Sequence, residues 1–62
     1  MKFRKRMKPI LKKIDDVNYE AVDWYRSKDA AIRKAREYRN NGFRAKVVFE
    51  DWWAGYFVYV RI

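Results

Sequence analysis

The chain has 62 residues, with 16 Lys and Arg against 8 Asp and Glu, a net charge of +8 and no His. That length allows one domain with a thin core, because a domain of about 60 residues buries only ~60% of its unfolded surface. With no Cys either, disulfides, thiolate metal sites, an imidazole base and a His-ligated zinc are all excluded.

The charge is unevenly placed. Residues 1–14 contain seven basic side chains (Lys2, Arg4, Lys5, Arg6, Lys8, Lys12, Lys13) and no acid, whereas residues 15–62 contain nine basic and eight acidic ones. A basic arm thus precedes a nearly neutral body, and such an arm attracts polyanions or acidic surfaces. Phe3, Met7, Ile10, Leu11 and Ile14 fall on one face of a helix, but Pro9 interrupts it. Residues 1–16 are therefore expected to be a disordered arm through about Lys8, with a helical turn or two from Pro9 to Ile14 when a partner is present. Four readings of the arm stay open. It is a solubilising tail whose Ile10, Leu11 and Ile14 pack on the body, a polyanion contact, a segment that docks in a protein groove, or a helix on a membrane surface. The last is weakest, since the apolar stripe is short and broken by Pro.

Residues 17–62 read as a β-α-β-β domain. Asn18 to Tyr25 is rich in Val, Trp and Tyr and predicts a strand. Ser27 is placed as an N-cap, Asp29 lies near the positive helix end, and Ala31, Ile32, Ala35 and Tyr38 share one face of a helix from Ala30 to Asn40. Asp29–Arg33 and Arg33–Glu37 have the spacing of helix ion pairs, and Gly42 is the expected left-handed residue after the helix. Two strands follow, Phe43 to Phe49 and Tyr56 to Ile62, joined as a hairpin by Glu50 to Gly55. Pairing Phe49 with Val58, Val47 with Val60 and Ala45 with Ile62 makes one face wholly apolar and directs it at the helix. The fold class is α+β, one helix on a three-stranded sheet.

The other sheet face then carries Val48 opposite Tyr59 and Lys46 opposite Arg61, with Phe57 and Arg44 nearby. Aromatics framed by Arg and Lys can stack single-stranded bases. The same face can equally be covered by Ile10, Leu11 and Ile14, or serve as a partner or dimer interface. Trp52 and Trp53 at the hairpin tip are the sharpest local feature. Neighbouring strand residues point to opposite sides, so one is expected to close the core and the other to stand exposed as a binding anchor. Glu50 and Asp51 beside them disfavour phosphate at that tip.

Catalysis is not expected. Ser27 is the only non-tyrosine hydroxyl, Asp15-Asp16 and Glu50-Asp51 are isolated carboxylate pairs, and two glycines make no phosphate loop. No cofactor or metal is expected. No apolar run approaches the ~18–20 residues of a membrane span, and no apolar segment typical of a signal peptide follows the basic start. A cytoplasmic location is the expectation.

The β-α-β-β order, Ala-rich helix and Asn-Gly stop resemble half of a SPOR-type peptidoglycan-binding repeat, although the arm and tip do not fit that role. High Lys, Arg and Glu without Cys or Gln fits a hyperthermophile's composition, and small size with heavy Lys, Arg, Tyr and Trp usage resembles the short proteins of hyperthermophilic archaea. In size and general character the whole chain is similar to the Thermococcales inhibitors of PCNA, small archaeal proteins that bind the sliding clamp and block its function. The usual clamp-binding box begins with Gln and ends in paired aromatics; this chain lacks Gln, and that inhibitor family binds without the box. The resemblance rests on no single motif and implies a regulator of DNA replication or repair. Its anchors are expected at Trp52, Trp53, Phe57 and Tyr59, with Arg44, Lys46 and Arg61 beside them. The alternative is a nucleic-acid binder that uses the arm and the aromatic, basic sheet face.

Overall fold

The computed structural model of the chain describes residues 10–62. Lys2, Arg4, Lys5, Arg6 and Lys8 of the expected arm, and the expectation of disorder through Lys8, lie outside that range. The fold is α+β. A four-stranded antiparallel sheet contains β1 (Leu11–Ile14), β2 (Val17–Tyr25), β3 (Ala45–Glu50) and β4 (Gly55–Arg61) in the spatial order β1-β2-β4-β3. Helix α1 (Lys28–Asn40) packs on one side, and a 3-10 turn (Asp51–Trp53) joins β3 to β4.

Pro9 lies outside the described residues; within the segment where helical turns were expected on meeting a partner, Leu11–Ile14 is strand β1. Ile14 pairs with Val17, so Asp15 and Asp16 form a two-residue hairpin loop with φ of 53° and 64°. Positive φ at both loop residues gives the mirror-image turn whose twist suits a hairpin, and Asp tolerates that conformation better than most residues. The boundary expected between residues 16 and 17 therefore falls beside a hairpin loop, and residues 11–16 belong to the domain. Alternation, not a helical stripe, organises the segment. Ile10 and Ile14 turn towards the sheet's inner cluster, whereas Leu11 is 59% exposed.

The helix follows its local signals. The Ala30 amide donates to Ser27 Oγ at 3.3 Å, Asp29 occupies the first turn, and Ala31 and Ala35 are buried against the sheet. At the other end the Gly42 N–H donates to the Arg39 carbonyl and the Phe43 N–H to that of Tyr38, both at 3.0 Å, with Gly42 at φ 90°. This is the Schellman arrangement, and the Tyr38 and Phe43 rings supply its apolar contact at 5.9 Å. On the helix surface the ion pair formed is Lys34–Glu37, not the expected pairs at Arg33.

The β3–β4 register differs from the expected one by two residues: Ala45 faces Val60, Val47 faces Val58 and Phe49 faces Tyr56. The 3-10 turn ends on Ala54 in the left-handed region, so the hairpin closes at Glu50 and Gly55 and the link is shorter than expected. A two-residue slip preserves the face of every side chain, so Ala45, Val58 and Val60 still meet Ala31 and Ala35. Across the other face, Val48 lies opposite Phe57, not Tyr59, and Lys46 opposite Tyr59, not Arg61.

Candidate functional site

The sheet's second face is not an open platform. Phe57 and Tyr59, expected as exposed anchors, are fully buried in a second cluster with Tyr19 and Ala21, flanked by Ile10, Ile14, Val17, Trp24, Val48 and Trp53. Three features close it. A β-bulge in β2 lies between Ala21 and Asp23, so Trp24 pairs with Phe57 on this side while Val22 turns to the helix side. The 3-10 turn folds Trp53 onto Phe57 (ring centroids 5.6 Å, 89°) and onto Trp24 (6.1 Å, 74°), both edge-to-face. The sheet also curls, bringing its two outer strands together: Lys12 Nζ of β1 lies 3.2 Å from Glu50 Oε2 of β3.

Glu50 is the polar hub of this cluster, with a residue exposure of 9%. Its Oε2 accepts from the Tyr59 hydroxyl at 2.6 Å, and its Oε1 accepts from Trp52 Nε1 at 3.1 Å. The Tyr59 hydrogen bond, helped by Lys12 and Trp52, holds the Glu50 carboxyl below the ordinary carboxylate range despite its burial. Burial first, and the Glu50 carboxylate second, push the Tyr59 hydroxyl well above a normal phenol. Glu50 is therefore internal and neutralised by Lys12, and Asp51 is the exposed acid at the tip.

At the tip, Trp53 is half-buried and Trp52 is 59% exposed. Trp52 is nonetheless fixed. Its ring rests 5.4 Å from Phe57 and 5.9 Å from Trp53, and its indole N–H is held by Glu50. A large aromatic that is exposed yet locked in place loses little rotamer freedom on binding. Gly55 is required beside it, because a Cβ there would overlap the Trp24 indole. Trp24 Nε1 is buried with no hydrogen-bond acceptor among the described residues.

Arg44, Lys46 and Arg61 gather at the opposite end of the sheet. The Arg61 amide donates to the Arg44 carbonyl at 2.9 Å, and Lys46 lies across from Tyr59. A shallow groove of about 290 Å³ there is lined by Tyr19, Arg39, Phe43, Arg44, Ala45 and Lys46. Arg44 and Arg61 are exposed and Lys46 is half-buried. Of the arm residues within the described range, Lys12 belongs to the Glu50 hub and Lys13 is exposed on the β1 edge.

Two features were not expected from the sequence: the pairing of Glu50 with Lys12, and the exposure of the Phe43 (52%) and Phe49 (49%) rings. Phe43 follows Gly42 at the helix stop, a signal for a semi-exposed contact; nothing local marks Glu50 or Lys12. Among the described residues no group of three or more His, Cys, Asp or Glu is placed to hold a metal ion, and no helix is long and apolar enough to cross a membrane. No protein-family model, no curated protein and no solved structure matches this chain.

Proposed function

We propose that this protein is a non-enzymatic regulator that docks on another protein, with Trp52 as its central anchor. The observation that supports this is an indole 59% exposed yet held by Phe57, Trp53 and Glu50. Phe57 and Trp53 support the anchor directly, and Tyr59 holds the Glu50 carboxylate that fixes its indole. The basic residues of positions 1–14 steer the chain towards an acidic surface and raise the on-rate more than the affinity. A component of DNA replication or repair is the proposed partner class, and the sliding clamp is the first protein to try.

The test is a pull-down from native extract with and without nuclease, followed by titration of the captured protein with wild-type and Trp52→Ala chains. One protein retained after nuclease, and bound about tenfold or more weakly by Trp52→Ala, supports the reading. Equal affinity of the two chains would remove the tip from it.

A second reading is direct nucleic-acid binding. It is favoured by the groove where Phe43 lies among Arg39, Arg44 and Lys46. It requires affinity to fall steeply with salt and to drop when Arg44 and Arg61 become Ala.

A further inference from the structure

The outer edge of β3 is unpaired among the described residues, and hydrogen-bond alternation identifies its free rungs. Because the Arg61 amide donates to the Arg44 carbonyl, the constant β3–β4 register makes Lys46/Tyr59, Val48/Phe57 and Glu50/Gly55 the bonded pairs. Ala45, Val47 and Phe49 therefore turn their amides and carbonyls outward. Arg39 already occupies the Ala45 carbonyl, donating through Nε at 3.2 Å and Nη2 at 2.9 Å. Val47 and Phe49 remain, beside a groove of about 440 Å³ between α1 and β3 that is lined by Lys28, Ile32, Val47, Phe49 and Tyr56, among others. Edge strands are commonly protected by charge, Pro or a bulge, and Val47 to Phe49 carries none of these.

We propose that this edge pairs with β3 of a second copy, antiparallel about a two-fold axis at Val48. The segment Lys46-Val47-Val48-Phe49-Glu50 is self-complementary around that point. With Val48 opposite Val48 of the second copy, Val47 faces Phe49 and Lys46 faces Glu50. The outward rungs then meet one another, so Val47 and Phe49 of the two copies exchange four N–H···O bonds. A one-residue slip sets outward rungs against inward ones and forms none. Slipping two residues one way places Phe49 against Ala45, whose carbonyl Arg39 already holds. Slipping the other way places Phe49 against itself and runs the pair into the 3-10 turn. In the favoured register Phe49 of the second copy enters beside Val47 at the groove, and Asp51 of the second copy falls opposite Ala45, where the Arg39 guanidinium sits. Asp51 and Arg39, of opposite charge, come near each other at both ends, whereas Glu50 is already held within its own chain by Lys12 and Tyr59. The product is an isologous dimer with one eight-stranded sheet and both helices on the same side. The net charge of +8 on each copy opposes association, so added salt strengthens the dimer, the reverse of its effect on nucleic-acid binding.

The chain contains no Cys, so single substitutions provide clean probes. The Val48 pair is of the non-bonded kind, with Cα atoms ~4.5 Å apart, within the ~4.4–6.8 Å that a disulfide spans. Light scattering of the full chain over a wide concentration range, at low and high salt, should give a doubled mass whose share rises with salt. Mild oxidation should link Val48→Cys chains into covalent pairs but not Lys13→Cys chains, which carry the thiol on the opposite edge. Phe49→Lys should return the mass to that of one chain with an unchanged circular dichroism spectrum. A single-chain mass throughout, or a dimer that links through Lys13→Cys and not Val48→Cys, would overturn the proposal.

Discussion

The two faces of the sheet are covered in different ways. One is covered by a regular helix whose alanines, Ala31 and Ala35, permit close approach to Val58 and Val60. The other is covered by parts of the sheet itself: a curl that lets Lys12 of β1 reach Glu50 of β3, a bulge that redirects Trp24, and a turn that folds Trp53 down. The helix side is made of repeated apolar contacts between small and branched side chains. The second side is made of a few large rings around one carboxylate with several partners. A 62-residue chain thereby obtains two small clusters, one on each face of the sheet.

The largest way to break this contrast is Phe57→Ala. The ring is fully buried and touches both tip tryptophans and Tyr59, so about 3–5 kcal/mol of stability should be lost in denaturant titration. Its helix-side counterpart, Ile32→Ala, removes a partly exposed side chain and should cost less than about 2 kcal/mol. A larger loss at Ile32 than at Phe57 would reverse the ranking of the two faces.

Next is the hub. Tyr59→Phe removes a charge-assisted hydrogen bond, at a cost of about 1.5–3 kcal/mol. The same hub sets a pH dependence. Glu50 has a folded-state pKa below its unfolded value, so its contribution is complete above an unfolded carboxyl pKa of ~4.3 and is lost as pH falls through the folded value. Tyr59 has a raised folded-state pKa, so its contribution is complete below ~10 and declines as pH rises beyond it. Melting temperature measured against pH should fall at both extremes, and Glu50→Gln should flatten the acid limb. An acid limb unchanged in Glu50→Gln would assign that loss to other carboxylates.

Smaller is the helix cap. Ser27→Ala should cost about 1 kcal/mol, a loss confined to the helix side. Smallest in stability is Trp52→Ala, at or below about 1 kcal/mol. The ring is mostly exposed and its N–H···Glu50 bond is one of several on that carboxylate. Binding should drop far more than stability, and equal drops in both would make Trp52 a structural residue.

Several elements were legible in the sequence because their causes are local. Ser27 and Gly42 bound the helix through hydrogen bonds within a few residues, and alternation from Ala45 to Phe49 places Ala45 and Val47 against α1 in both the expected register and the one found, which differ by two residues. Trp52 is the more exposed of the two tryptophans and Trp53 the more buried, but strand alternation is not the reason: both sit in the 3-10 turn and both rings pack on Phe57. Strand β1 was not legible: Ile10, Leu11 and Ile14 fit a helical stripe as well as a strand, and only the partner strand β2 decides between them. Of the readings of the other sheet face, its covering by the N-terminal segment is the one found, through Ile10 and Ile14 but not Leu11; Phe57 and Tyr59 fail as exposed anchors because a three-stranded reading has no β1 to curl over them.

Short stretches of the chain suffice to specify the α+β class, the helix with its caps, the hairpin with its aromatic tip, and the separation of a basic start from a nearly neutral body. Each follows from periodicity, capping chemistry or charge within a short window. Tertiary structure alone decided the order β1-β2-β4-β3, the bulge that moves Trp24 across the sheet, and the meeting of Lys12, Trp52 and Tyr59 on Glu50. Those features depend on contacts between residues far apart in the chain. Long-range pairing is set by which surfaces bury best together, a property no short window of sequence contains.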